Sequence, residues 1–506
     1  MQGCAQARCR LGYLYLNGSG VTKDIEEAKK WYEMAAEQKH AEAEYYLAYL
    51  YETEVTDMDK EADPKDSEKV LEYYKRAAEH GYAPAQVIIG KRYLESDDIS
   101  TVIEEAKKWI LKAAEQENAE AEYLLAKMYE DGTGFDKDDI KAAQYYRLSA
   151  EHGYGEAQCW LGDAYYDGNS TVKKNITEAV KWYRKAAEHG ITKAQRRIGS
   201  MYAMGDGVEK DLAEGIKWTR LAAQKGDMYA QYNMGVMYIN GTGVEENIDE
   251  AEKWFLKSAK QGFAKAQYNL GCIYELKRNY SEMEKWLKKA GEQGFEDAHT
   301  VLINYYINNL SKLSMNPMEI YQYVKKAGSS YENEKRKLLD KLAAGRSLED
   351  LVWLKRISDE ENDLYASKCL GDMYFNGTGT EKNYQEAYRY YKKAAQGGLE
   401  GFDFGKILGK VNEAITTEMT YKEAMKLLET SSFRTAIETL KELAKKDHAG
   451  AQFTLGKLYM EGYRLPKDCE AAYYMLNKAR KNGHPEADAY IKNNKDLSRI
   501  DKGSFY

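Results

Sequence analysis

At 506 residues, with 31% charged and 43% hydrophobic side chains, the chain is too long for one growing core and too apolar for disorder. It must be several domains or an array that extends its core in one direction. Its 74 basic and 82 acidic residues leave a net charge of -8 without a basic block, which argues against a general nucleic-acid or anionic-membrane surface. No run of eighteen apolar residues occurs, and the start MQGCAQARCR has no apolar segment of signal-peptide length. Neither a spanning helix nor a secretion signal is expected, and the sequence as written predicts a cytoplasmic chain, exported if its N-terminus is truncated.

In chain order, a unit opens at Ala7 and returns at Ala43, Ala85, Ala121, Ala157, Ala194, Ala230, Ala266, Ala366 and Ala451; the usual spacing, as from Ala121 to Ala157, is 36 residues. Four and five places on come an apolar residue and Gly, as in Leu11-Gly12, Leu161-Gly162, Met234-Gly235 and Leu370-Gly371, with Ala48 and Ala126 in the Gly place of two copies. An aromatic follows three later, as Tyr15, Tyr129, Tyr238 and Tyr374. On a helix these three places lie within about 80° of one another, and they form the core stripe of a first helix, A. Gly inside a helix costs roughly 1 kcal/mol relative to Ala, so its recurrence predicts a neighbouring helix backbone too close for a side chain.

Helix A is predicted to stop at Gly-x-Gly turns: NGSGVTKD (Asn17 to Asp24), DGTGFDKD (Asp131 to Asp138), MGDGVEKD (Met204 to Asp211), NGTGVEEN (Asn240 to Asn247) and NGTGTEKN (Asn376 to Asn383). Gly there can take the left-handed conformation that closes a helix. The turn ends on Asp or Asn with Glu three later (Asp24 and Glu27, Asn175 and Glu178, Asp211 and Glu214, Asn247 and Glu250, Asn383 and Glu386). This is a capping-box pattern that starts a second helix, B. Helix B carries Ala-x-x-aromatic, and Trp31, Trp109, Trp182, Trp218, Trp254, Trp286 and Trp353 occupy the aromatic place. These Trp are expected to point into the core.

Assembled, the pattern A-x-x-x-L-G-x-x-Y-x-x-G-x-G-V-x-x-D, then A-x-x-W-Y-x-K-A-A-E-x-G, resembles the Sel-1-like repeat family, a relative of the tetratricopeptide repeat. Ala157 to Gly190 and Ala230 to Gly262 match it best, and the resemblance runs from about residue 5 to 483. It implies an all-α protein, an α/α solenoid in which antiparallel helix pairs form a right-handed superhelix, and a role as adaptor or scaffold.

Residues 1–298 read as an unbroken array, 366–398 and 451–483 as further repeats, and 484–506 as a polar capping helix and tail. Residues 299–365 and 399–450 keep the rhythm in fragments and read as degenerate helix pairs or bends. The second copy has a long charged turn (Thr53 to Asp66), the third replaces Gly-x-Gly by SDDIST, and the eighth shortens it to LKRNYS. The first copy begins inside its helix A, as a truncated product or one that needs a partner would.

No motif for catalysis emerges. The Gly-x-Gly turns follow helices rather than strands and lack the third Gly of a dinucleotide loop, and no P-loop, HExxH or GxSxG occurs. DGTGFDKDD lacks the ligand alternation of an EF-hand. His80, His152 and His189 share a Glu-His-Gly place at the end of helix B, where repetition favours a helix-terminal role. Cys4, Cys9, Cys159, Cys272, Cys369 and Cys469 follow no one-pair-per-repeat scheme and are read as reduced thiols, with no metal site and no cofactor.

The candidate surface lies on helix A opposite its core stripe. Positions two and six from the opening Ala fall at about 200° and 240° around the helix, and in the tetratricopeptide fold such positions line the concave face, so the resemblance implies the same here. Position two gives Tyr45, Tyr123, Tyr232, Tyr268 and Phe453, and position six gives Tyr49, Lys91 and Lys127. Repeated aromatics flanked by charges that vary from copy to copy suit recognition of a protein partner, while packing between adjacent helices A would explain the rings equally. The resemblance leaves a rival function, a cell-envelope enzyme or a protein binding carbohydrate or cell-wall precursors.

Overall fold

A computed structural model describes residues 2–57, 64–96, 98–310, 316–345 and 347–501, and among the described residues there are helices and turns but no strand. The chain forms two compact units, Met1–Ala298 and His299–Tyr506. No helix of the described residues is long and apolar enough to cross a membrane.

Among the described residues, the first unit holds eight helix pairs. Repeats five to seven show the regular form: Gly155–Asp167 with Ile176–Glu188, Thr192–Met204 with Leu212–Gln224, and Met228–Asn240 with Ile248–Lys260. Each helix packs on its neighbours in sequence, so the core is a chain of small clusters rather than one centre. Ala157, Ala194, Ala230 and Ala266, which open helix A, are all 0% exposed. The second unit contains two regular pairs, Leu364–Asn376 with Tyr384–Gln396 and Ala449–Glu461 with Cys469–Lys481. Between them Phe404–Leu428 runs for 25 residues before Phe433–Lys445. Pro317–Ala327, Glu332–Ala344 and Leu348–Glu360 fill the other irregular stretch. The expected polar closing segment is two short helices, Ala487–Asn493 and Lys495–Asp501, whose Ala487, Ile491 and Leu497 are fully buried beside Leu476. The long turn at 53–66, the SDDIST turn and the tail lie partly outside the described residues.

The recurring Gly of helix A has a different cause from the one expected. A Cβ at Gly162 would meet the Tyr183 ring at 2.6 Å, at Gly235 the Phe255 ring at 2.6 Å, and at Gly371 the Tyr391 ring at 2.6 Å. In these repeats a flat ring from helix B, not a backbone, lies on the bare Cα, and Ile110, Leu287 and Leu476 take its place over Gly90, Gly271 and Gly456. Backbones meet most closely in the sixth repeat, where a Cβ at Gly199 would stand 2.8 Å from Thr219 N and 3.0 Å from Gly215 O, against 3.2 Å from a Cβ at Gly456 to Ala472 O. There helix B carries its own Gly215 and a small Thr in place of the ring.

This ring is the residue after the Trp, and it corrects the inward assignment of the tryptophans. Tyr32, Tyr74, Tyr146, Tyr183 and Phe255 are at most 2% exposed. Trp109 and Trp286 are buried, but Trp31, Trp182, Trp218, Trp254 and Trp353 are only half-buried. Trp182 lies against Ala150, Ala157 and Leu161, and Trp254 against Ala222, Ala223 and Met234, so each closes the seam to the preceding repeat. Lys185 and Lys257 cover their outer faces at 4.2 and 4.3 Å.

The turn residues behave as their sequence predicts, with one half of the capping box missing. Gly205 and Gly207 have φ of 79° and 71°, and Gly241 and Gly243 of 63° and 69°, values that favour Gly. The side chains of Asp24, Asn175, Asp211, Asn247 and Asn383 accept from the backbone N–H three residues on. The reciprocal bond from Glu is not made, because the N–H it would serve already donates to the carbonyl of helix A's aromatic: Asp24 to Tyr15 at 3.0 Å, Asp211 to Tyr202 at 2.9 Å, Asn247 to Tyr238 at 2.9 Å. The Glu side chains turn outward to Lys30, Lys181, Lys217 and Lys253. Among the described residues, complete boxes occur only at Asn316 with Glu319 and Ser347 with Asp350, outside the regular repeats.

Candidate interaction surface on helix A

The residues at position two sit at each junction between repeats. Tyr45 meets Tyr74 of its own helix B at 5.6 Å and Tyr82, just before the next helix A, at 5.0 Å. Tyr123 repeats this with Tyr146 and Tyr154 at 5.6 and 5.0 Å, and Tyr232 with Phe255 and Phe263 at 5.6 and 5.1 Å. Tyr268 meets Phe295 at 5.0 Å. These four rings are half-buried, and each wedges two successive repeats together while remaining partly exposed. The edge-on and tilted arrangements suit the ring quadrupoles. Phe453 departs from the expectation of an exposed face: it is 7% exposed, covered by His484 at 3.9 Å and Tyr490 at 5.7 Å.

Position six is more open. Tyr49 and Lys127 are exposed. Lys91 is not at liberty, since its Nζ lies 3.0 Å from Glu120 at the start of the next helix A. The same step joins Lys193 to Asp163 at 2.6 Å. In several repeats a carboxylate of helix A also accepts from the buried hydroxyl of helix B: Tyr74 to Glu52, Tyr146 to Glu130 and Tyr183 to Asp163, at 2.8, 2.6 and 2.7 Å. The surface is thus a mesh in which charges of adjacent repeats largely answer one another.

Beneath it runs a polar spine that sequence reasoning passed over. The residue after the opening Ala is Gln86, Gln158, Gln195, Gln231, Gln267 or Gln452, none more than 5% exposed. Each Nε2 donates to a carbonyl eight residues earlier, in the last turn of the preceding helix B: Gln158 to Ala150, Gln231 to Ala223 and Gln267 to Ala259, all at 3.1 Å. In most of these repeats the Gln side-chain oxygen faces a residue ending its own helix B: Gln116 at 2.9 Å, His189 at 2.8 Å, Gln261 at 2.8 Å, Gln293 at 2.7 Å and Asn482 at 2.9 Å. Two repeats carry Glu instead. Glu44, fully buried, is met by Arg76 at 2.9 Å and His80 at 2.6 Å, and Glu122 by His152 at 2.8 Å. The three Glu-His-Gly histidines therefore serve the spine as well as the helix end. Burial raises the Glu122 pKa, while the hydrogen bond to Glu122 raises that of His152. The signal was in the sequence as a Gln or Glu next to the core Ala in eight of ten copies, with Arg8 and Ser367 in the other two, a place where a polar residue needs a partner.

Among the thiols, burial pushes Cys9 up to about 12 and Cys159 up to about 11, so neither is an activated nucleophile. All six cysteines are free.

Comparison with known proteins follows this geometry. The Sel1 repeat model matches residues 5–40, 41–82, 83–118, 119–154, 155–191, 192–227, 229–263, 264–295, 370–399 and 449–484. A sel1-like repeat-containing protein of Acanthamoeba polyphaga mimivirus is 30% identical over 101 residues, which is 20% of this chain and 17% of that relative's length. Among solved structures, a protective antigen present in uropathogenic Escherichia coli strains and displaying an SLR fold is similar over 94% of this chain and 93% of its own, with a TM-score of 0.52 and 24% identity. A Sel1 repeat protein from Oxalobacter formigenes is 30% identical, covering 48% of this chain and 97% of its own with a TM-score of 0.40. Ten repeat matches over more than half the residues, on an all-helical solenoid of paired helices, place the chain in the Sel1 repeat family.

Proposed function

We propose that the chain is a non-catalytic scaffold that holds a protein partner on the concave helix-A surface of its first unit. The observation that carries this reading is the repetition of Tyr45, Tyr123, Tyr232 and Tyr268 at one register, each half-buried. A ring fixed by its neighbours loses little entropy when a partner covers it, and many such contacts on a preformed surface add up to useful affinity. Tyr49 and Lys127 beside them, one aromatic and one charged, together with Lys91 once released from Glu120, would select the partner.

The packing dictates how to test it. Replacing Tyr123, Tyr232 and Tyr268 by Ser removes rings that join repeats and is expected to lower the melting temperature, so that variant cannot isolate binding. Tyr49 and Lys127 are exposed, and Tyr49→Ser with Lys127→Glu is expected to leave thermal unfolding within about 2 °C of the parent, as surface changes do. Binding of the partner identified by affinity capture with the parent protein should fall at least tenfold in this variant. Undiminished binding by the folded double variant would move the site off this surface.

A further inference from the structure

The first junction of the array differs chemically from the others. Where four of the later junctions bring two rings together, Tyr45 to Tyr82, Tyr123 to Tyr154, Tyr232 to Phe263 and Tyr268 to Phe295, and others hold Val87 with Asn118, Cys159 with Ile191 or Arg196 with Asp227, the same two places here hold Cys9 and His40. Glu42 follows in the first turn of the helix Ala41–Asp57. One ligand atom each from Cys9, His40 and Glu42 lies within 4.8 Å of the others, and among the described residues this is the one such group of three.

We propose that Cys9, His40 and Glu42 form a binding site for a transition-metal ion, zinc fitting best, with a fourth position open to water or a partner's side chain. A thiolate and an imidazole are ligands that zinc takes and magnesium or calcium does not, and three protein ligands with one open place is a common zinc arrangement. Bond lengths of about 2.0 to 2.3 Å put neighbouring ligand atoms about 3.3 to 3.7 Å apart, so the group needs to close by roughly 1 Å. Cys9, 3% exposed, is the fixed anchor; Glu42 is exposed and His40 half-buried, and their side chains have room to turn. The ion displaces the thiol proton of Cys9 to solvent, and its two positive charges then balance one thiolate and one carboxylate. His40 Nδ1 accepts from Ala43 N at 3.3 Å, a long capping contact. Coordination through Nδ1 displaces it and coordination through Nε2 moves the ring proton onto Nδ1, so in either case one weak contact is exchanged for a metal–nitrogen bond. The ligands come from helix Gln2–Asn17 and from the start of the second repeat, so the ion would add a clamp to a junction where Tyr46 already stacks on Tyr32 at 5.4 Å.

The test uses the full chain, reduced and stripped of metal, titrated with cobalt(II) and then competed with zinc. One equivalent of cobalt should give a thiolate-to-cobalt charge-transfer band and the intense visible bands of a four-coordinate ion. The charge-transfer band should vanish in Cys9→Ser and affinity should fall at least tenfold in His40→Gln and in Glu42→Gln, while Cys4→Ser and Cys272→Ser behave as the parent. Zinc should raise the melting temperature of the parent by several degrees and leave unchanged that of Cys9→Tyr/His40→Tyr, which restores the ring pair and needs no ion to fold. A parent without the charge-transfer band at micromolar cobalt, or a band that survives in Cys9→Ser, overturns the assignment.

Discussion

At the scale of single residues, opposing effects can be weighed directly. Gly235→Ala should gain roughly 1 kcal/mol in helix propensity, yet its Cβ would stand 2.6 Å from the Phe255 ring, and overpacking of this kind costs about 1 to 3 kcal/mol. A net loss of about 1 kcal/mol in denaturant unfolding is expected, since Ala48 and Ala126 beside Tyr74 and Tyr146 show that the pair can shift slightly; a gain would mean that the ring is not seated there. Glu122 offers a second test. Both Glu122 and His152 have pKa values raised in the fold, so the folded state binds protons more tightly and stability falls as pH rises. The His152 contribution is complete below its ordinary value of 6.5 and is lost as pH climbs through its raised value. Glu122→Gln, which installs the residue found in other repeats and lets Nε2 donate to the Ala114 carbonyl, should remove this slope above pH 6.5 and stabilise by about 1 kcal/mol, read by hydrogen exchange within residues 119–154. A slope unchanged by the substitution would reject the pair as its source. The Gly was legible in the sequence, but its cause was not: periodicity gives a face, while only coordinates distinguish a ring from a backbone on that face.

At the scale of the helix pair, the ring after the Trp matters more than the Trp. Phe255→Ala should cost about 3 to 5 kcal/mol by emptying a closed site, and Trp254→Ala distinctly less, because that side chain is partly exposed. Equal losses in thermal melts of the two variants would contradict the seam position of the Trp. The rule that the Trp marks the core failed because its neighbour one place on, 100° around the helix, varies among Tyr, Ile, Thr, Phe and Leu and so leaves no single-letter signature. The caps show the reverse. Asp211 accepts from Ala213 N and Glu214 N at 2.9 and 3.1 Å, and Asp211→Ala should lose about 1 kcal/mol; since Glu214 does not reach back to the cap, Glu214→Ala should cost far less, a ranking that a complete capping box would not give. Turn residues were readable because Gly and Asp act locally. The missing reciprocal bond was not, because its competitor is a carbonyl nine residues upstream in helix A.

At the scale of the molecule, neighbour-only packing means that damage spreads by adjacency. In Phe255→Ala, hydrogen exchange should lose protection first across residues 228–295 and last in the earliest repeats of the first unit; uniform loss along Met1–Ala298 would reject a linear array. The array and its period were readable because ten copies say the same thing. The bounds of the helices in 299–365 and the 25-residue length of Phe404–Leu428 were not, because each occurs once and no second copy corrects the reading. The buried Gln has one further consequence. Each donates to a carbonyl of the preceding unit and most accept at the end of their own, so within the unbroken run from Gln158 to Gln267 a whole unit removed or duplicated in frame leaves the same donor facing the same acceptor across the new join. Such a chain can change its length by genetic unequal crossing-over in steps of one repeat without stranding a buried polar group, whereas a gain or loss of any other size breaks the match at once.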